Sequence, residues 1–212
     1  MKIALIGATG KSGKFLLKQL LHLGIPVKVL LRTPESLPIK SPLVEQIKGD
    51  ARNYDAVHTL VTNCQAVIST LGQPAGESAI FSQATRNVLR AMDSLHIQRY
   101  ILTTGLNVDT PSDRKGPASK FATQWMQTNY PETTKDKQEE YNLLSKSDVA
   151  WTLVRLPMIE QTDARHQIIV SLEDCPGDTI SAADLAQFLF DQLSDETYLK
   201  KAPFIASLPD QS

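Results

Sequence analysis

Three glycines, Gly7, Gly10 and Gly13, recur at three-residue intervals within GATGKSGKF at residues 7–15. Glycine loops with this density hold phosphate, and Gly10-Lys11-Ser12 spells the end of a triphosphate-gripping P-loop, G-x-x-x-x-G-K-[ST]. The spacing rejects that reading. Five residues before Gly10 stands Leu5; five before Gly13 stands Ala8, and Lys14 is followed by Phe15. What remains is G-x-x-G-x-x-G, directly after an apolar run and opening a helix-like one. There glycines permit a tight turn and close backbone approach to a pyrophosphate, and the helix N-terminus adds free N–H groups and partial positive charge. An ordinary strand-to-helix turn with incidental glycines is the alternative. The preceding strand, the N-terminal position and the three glycines together favour a dinucleotide cradle.

The next informative residue is Arg32, where the second apolar run ends in Arg32-Thr33. A carboxylate there would bind a ribose 2′-hydroxyl, whereas a guanidinium can grip a 2′-phosphate through forked bonds. NADP(H) is therefore expected over NAD(H), with Lys11 as a second positive charge, and S-adenosylmethionine is disfavoured. The alternative is that Arg32 is a solvated surface residue.

The elements that must position these residues follow from hydrophobic periodicity. Strands are predicted at 2–6, 27–31, 44–48, 66–70, 99–104, 150–156, 167–172 and 202–207. Helices are predicted at 14–23, 56–61, 80–95 and 133–145, and another opens at Ser181 with Asp184 as a capping-box-like partner. Strands alternating with helices predict a doubly wound α/β fold, a mostly parallel sheet in a three-layer α/β/α arrangement. No linker or repeat divides the chain, so 1–212 reads as one domain. The polar segment 107–131, with Phe121, Trp125, Met126 and Tyr130, reads as a helical and loop cover on the substrate side. Trp125 and Tyr130 are candidates for stacking on a planar acceptor, with helix packing as the alternative.

Composition narrows the partners. The 212 residues carry a net charge of −1, which supports neither a nucleic-acid stripe nor a polybasic membrane patch. No apolar run approaches the roughly 20 residues that a membrane span needs. Cys64 and Cys175 lack CxxC or histidine partners, so neither a disulfide framework nor a metal site is expected, and free thiols fit a cytoplasmic location. His166 is read as a surface residue, Arg155 as a buried arginine paired with a carboxylate, and 135–140 (KDKQEE) as a mixed-charge helix face from which Lys137 points inward.

GATGKSG, Arg32, Gly49-Asp50, STLG at 69–72, TTG at 103–105, WTLVRLP at 151–157 and SAADLA at 181–186 together resemble the atypical short-chain dehydrogenase/reductases. The nearest subgroup is the small NAD(P)H-binding proteins similar to biliverdin reductase B, often described as NADH-flavin reductase-like, with the NmrA-like proteins nearby. The resemblance spans nearly the whole chain and implies a Rossmann fold. It implies that Gly7, Thr9, Gly10, Lys11, Ser12 and Gly13 line the pyrophosphate, and that Arg32 and Thr33 meet the adenosine phosphate. It further implies Asp50 and Ala51 at the adenine, Leu71 and Gly72 along the ribose, and Thr103, Thr104 and the 156–159 turn (Leu156, Pro157, Met158, Ile159) around the nicotinamide.

The catalytic pattern departs from the extended family, whose acid is a Tyr four residues before a Lys, on one helix face. In that register this chain has Thr133 and Lys137. Tyr141 precedes Lys146 by five residues and Tyr130 precedes Lys137 by seven, so no other tyrosine restores the motif. Thr104 matches the serine that helps polarise a carbonyl, leaving Thr104 and Lys137 as the catalytic candidates. Reducing a ketone needs a placed proton donor; a flavin or quinone spreads the incoming charge and can take its proton from solvent. The missing Tyr therefore favours a small planar acceptor. It equally allows a non-catalytic, NADP(H)-sensing regulator with a protein partner.

Overall fold

The computed structural model describes residues 1–73 and 76–208; the end of the expected domain, 209–212, lies outside them. Strand β1 (Ile3–Ile6) leads into helix α1 (Gly13–His22) and strand β2 (Val27–Leu31). A 3-10 turn at Pro34–Ser36 precedes β3 (Val44–Lys48), α2 (Tyr54–Val61) and β4 (Ala66–Ser69). Then come α3 (Phe81–Ser94), β5 (Arg99–Gly105), α4 (Pro117–Asn129), α5 (Pro131–Ser145) and β6 (Ala150–Leu156). The chain continues through β7 (Met158–Glu160), β8 (Ile168–Ser171), β9 (Thr179–Ser181), α6 (Ala182–Asp191) and β10 (Phe204–Ser207).

Eight strands form one sheet in the order β3-β2-β1-β4-β5-β6-β10-β8. All neighbours run parallel except β8, which is antiparallel to β10 at the edge. Parallel strands need crossovers, and helices on both faces supply them. That is why β1, β4 and most of β6 read as unbroken apolar runs: both faces are covered. Alternate side chains divide between two cores. Ala4, Ile6, Val67, Tyr100, Leu102 and Leu153 pack beneath α2, α3 and α5, with Val57, Leu60, Val88, Met92 and Leu144 facing them. Ile3, Leu5, Ile68, Ile101 and Val154 pack beneath α1 and α6, with Leu16, Leu17, Leu20, Leu185 and Leu189 facing them.

Three features differ from the sequence expectation. The turn expected at 156–159 continues into β7, which pairs with β9 in a parallel two-stranded side sheet. Ser181 does cap α6, accepting from the Ala183 N–H at 3.2 Å. Asp184, however, is not its capping-box partner: it is buried and bonds the His166 backbone N–H at 3.1 Å, the His166 Nδ1 at 3.2 Å and Ser207 Oγ at 3.0 Å. His166 is thus held inward rather than standing free on the surface. Among the described residues no helix is long and apolar enough to cross a membrane.

Arg155 is fully buried and donates from Nη1 to both Asp113 oxygens, at 2.6 and 2.8 Å. Its guanidinium also lies 3.5 Å from the Phe204 ring centroid. This pair fastens the connection after β5 to the sheet, and α4 follows as the cover.

Candidate active site

The chain reverses direction across the sheet between β1 and β4, and ligands in such folds bind beyond the carboxyl ends of the strands at that point. A cleft of about 730 Å³ opens there, within the range of small-molecule sites. Its floor at one end is the glycine loop. Gly7 adopts φ +83°, a left-handed conformation that side chains rarely adopt. Thr9, Gly10, Lys11 and Ser12 continue the lining.

Gly13 is placed differently from its neighbours. It does not line the cleft; a Cβ there would lie 2.0 Å from the Gly7 carbonyl oxygen and 2.7 Å from Thr70 Oγ1. That approach packs α1 closely beneath the loop. Ser12, at the N-cap, makes no side-chain cap bond, and the first turn of α1 holds no acidic residue. The positive end of the helix is therefore left for a ligand anion.

Next along the cleft come Arg32 and Thr33 after β2, Asp50 and Ala51 after β3, and Leu71 and Gly72 after β4. Arg32 does not stand alone. Its Nη1 donates to Glu77 Oε1 at 2.5 Å, and that hydrogen bond to Glu77 holds the guanidinium above its ordinary pKa. Glu77 Oε2 in turn accepts from Arg52 Nη1 at 2.9 Å.

The far end is built by β5, α5 and the stretch after β6. Thr103, Thr104, Lys137, Leu156, Pro157 and Ile159 all line it. Alternation along β5 puts Thr104 on the same face as Tyr100 and Leu102, the face α5 covers. Thr104 is 5% exposed, and its Oγ1 has no hydrogen-bond partner among the described groups. A buried hydroxyl without a partner is costly unless something else satisfies it. Lys137 enters from α5, its Nζ 4.9 Å from the Phe81 ring centroid. Gly105 beside it leaves room chiefly for Asn107, whose side chain a Cβ there would strike, and that Cβ would also come within 3.3 Å of the Lys137 Nζ. Burial pushes the Lys137 amine below its ordinary pKa, with Glu140 acting in the opposite sense.

Four expected site residues lie elsewhere. Gly13 packs beneath the loop. Met158 is 74% exposed, because it sits between Pro157 and Ile159 in an extended segment and points to the opposite side. Trp125 and Tyr130 do not line the cleft; both are about half exposed and pack against each other at 5.7 Å. The buried face of α4 is its small polar side, Ser119 and Thr123, so the aromatics face outward. Thr133 is half-buried and also misses the cleft. No tyrosine of the described residues lines it.

Ile80 and Phe81, at the start of α3, line the cleft without having been expected. Their position is set by Asp136, which accepts from the Phe81 N–H at 2.7 Å and the Ser82 N–H at 3.3 Å, and bonds Ser82 Oγ. The carboxylate caps α3 from α5 and so ties both helices beside Lys137. A helix start with no Ser, Thr, Asp or Asn at its own N-cap, Ile80, was the one local hint that the cap comes from elsewhere.

The residues fit a dinucleotide: a loop packed too closely for side chains at Gly7 and Gly13, a helix N-terminus with no side-chain cap, Arg32 at one end and, at the other, a Thr104 hydroxyl with no partner among the described groups. The comparisons agree. The model of the NAD(P)H-binding family matches residues 7–196. A short-chain dehydrogenase/reductase from Veillonella parvula, solved in complex with NADP, superposes with a TM-score of 0.82 at 20% identity, covering 100% of this chain and 96% of that one. An anaerobilin reductase from Escherichia coli O157:H7 gives 0.80 at 20%, covering 100% and 99%. An oxidoreductase from Lactococcus lactis gives 0.77 at 16%, covering 98% and 91%. At these identities the likeness to the solved structures is one of fold.

Proposed function

The chain belongs to the NAD(P)H-binding family, and from that premise we propose that it is an NADPH-dependent oxidoreductase acting on a small planar acceptor of flavin or quinone type. One observation carries this reading. The far end of the cleft holds the Lys137 amine and a buried Thr104 hydroxyl that, among the described residues, has no partner, and no tyrosine of the described residues lines it. The site can orient two planar groups but lacks a phenol to protonate an alkoxide. Bound NADPH would supply the hydride. Gly7, Gly10 and the start of α1 hold pyrophosphate, and Arg32 engages the 2′-phosphate. Thr104 donates a hydrogen bond at the nicotinamide end, and Lys137 holds the adjoining ribose. The open end of the cleft admits solvent, from which a reduced flavin or quinone can draw its proton.

Mixing the protein with NADPH and FMN or a quinone, and following the NADPH absorbance band, tests the reading; no acceleration across a broad acceptor panel overturns it. Arg32→Glu should bind NADPH much more weakly and NADH about as well. Equal loss of both removes the selectivity argument.

A second reading, an NADP(H)-sensing regulator that turns nothing over, draws on the outward apolar side of α4. Phe121, Trp125 and Tyr130 are exposed there, beside the site rather than in it. Co-purification of a stable partner that distinguishes oxidised from reduced cofactor would favour it.

A further inference from the structure

At the adenosine end of the cleft Arg32, which lines it, is engaged by Glu77, an acid that stands beside the lining rather than in it. Arg32 and Arg52 both turn their guanidinium groups on Glu77. Its Oε1 takes Arg32 Nη1 at 2.5 Å, and its Oε2 takes Arg52 Nη1 at 2.9 Å. Arg52 is itself held in place, bonding Asp50 Oδ2 at 3.2 Å and the Ser78 carbonyl at 3.1 Å. Two arginines sharing one carboxylate, each taking a different oxygen, form an anion seat filled from within the chain. A phosphate monoester offers more charge and three acceptor oxygens to the same forked donors. A ribose 2′-hydroxyl carries no charge and has nothing to gain by displacing a carboxylate.

We infer that Glu77 is a built-in competitor for the cofactor's 2′-phosphate: by filling the seat between Arg32 and Arg52 it weakens binding of NADPH and leaves NADH untouched. Cofactor selectivity is then a balance of three side chains rather than a property of Arg32 alone. Arg32 and Arg52 attract the phosphate, and Glu77 sets how tightly it must bind to enter. The pairing of Glu77 with two arginines also holds its carboxyl below the ordinary range, led by the Arg32 hydrogen bond, so the competitor stays charged at neutral pH. The inference rests on the NADPH reading above.

Nicotinamide fluorescence or calorimetric titration of the parent chain and of Glu77→Gln and Glu77→Ala tests it, with NADPH, NADH and 2′-AMP as the ligands. The last probes the seat without the nicotinamide end. Each exposed ion pair is worth about two- to threefold in an equilibrium constant, so releasing two should tighten NADPH and 2′-AMP by about fivefold. NADH should stay within about twofold. Equal tightening of NADPH and NADH, or no tightening of NADPH and 2′-AMP in either variant, overturns the inference. Arg32→Glu separates the levels. If it loses NADPH selectively while the Glu77 variants change nothing, the seat is right and the competitor wrong. If it loses neither cofactor selectively, the underlying reading fails and takes the inference with it.

Discussion

Glu140 offers a quantitative test of how α5 is built. It lies on the sheet-facing side of that helix, one turn after Lys137, and is fully buried. Its Oε1 accepts from Thr85 Oγ1 at 2.7 Å, and Thr85 lies 3.2 Å from the Tyr100 hydroxyl. Its Oε2 has no hydrogen-bond partner among the described groups. Burial pushes the carboxyl from 4.5 up to about 7; Asp136 adds to the rise, while the Thr85 bond and the Lys137 charge oppose it. In the unfolded chain Glu140 ionises near 4.5, whereas the folded chain keeps its proton until about 7. Folding therefore takes up a proton between these values. The resulting stability is fully present below 4.5 and is lost as the pH rises through 7. At about 1.4 kcal/mol per tenfold, the difference is on the order of 3 kcal/mol. Glu140→Gln keeps the shape and an acceptor for Thr85 but cannot ionise. At pH 8 the variant should be more stable than the parent by about 2–3 kcal/mol, raising Tm by roughly 5–10 °C for a chain of this size. At pH 5 the two should agree within about 1 kcal/mol. Thermal and urea unfolding followed by circular dichroism from pH 5 to 8.5 would show it. Parallel pH profiles for the two proteins, or a variant weaker throughout, would refute the buried, proton-retaining carboxyl.

The glycine loop and the buried arginine give sharper local outcomes. Gly13→Ala forces a Cβ against the Gly7 carbonyl, so it should cost about 2 kcal/mol or more and abolish NADPH binding, whereas Gly72→Ala, with nothing within 4 Å, should leave stability within about 0.5 kcal/mol. Urea unfolding of the pair distinguishes a packing glycine from an incidental one. Asp113→Ala removes the carboxylate from fully buried Arg155 and from Lys115, whose Nζ lies 3.7 Å from the same group; it should destabilise by about 3 kcal/mol or more in urea unfolding.

The sequence made most of the architecture legible because its signals are local. Short apolar runs and period-3.6 patterns located the sheet strands and covering helices, and the βα register of Gly7 to Gly13 located the cleft. A local signal also placed Arg32 at its mouth. The interactions that were not legible join residues far apart in sequence. Arg32 meets Glu77 across 45 positions and Thr85 meets Glu140 across 55, while for buried Arg155 a carboxylate was expected but not which one, Asp113, 42 positions away. KDKQEE read as a mixed-charge face with only Lys137 turned inward, because charge composition says nothing about which turn of the helix faces the sheet. Lys137 does enter the cleft, and Asp136 and Glu140 turn inward as well, each to a different task. Trp125 and Tyr130 erred the other way: aromatic residues suggest burial or stacking, but the face of α4 that packs inward is set by the small residues Ser119 and Thr123.

The same helix explains why a threonine at position 133, where a tyrosine was sought, need not dismantle the site. Asp136 fixes α5 to the start of α3, Glu140 anchors the next turn against Thr85, and Lys137 between them is delivered to the cleft beside Phe81. None of these contacts involves Thr133, so the lysine's position does not depend on what occupies the tyrosine's place. A site assembled this way retains its power to hold and orient a dinucleotide while giving up a placed acid. Chemistry that needs only orientation survives that exchange, and ketone reduction, which needs a proton delivered to a developing alkoxide, does not. On the proposed reading, the architecture of α5 therefore suits an acceptor that needs orientation more than a placed acid.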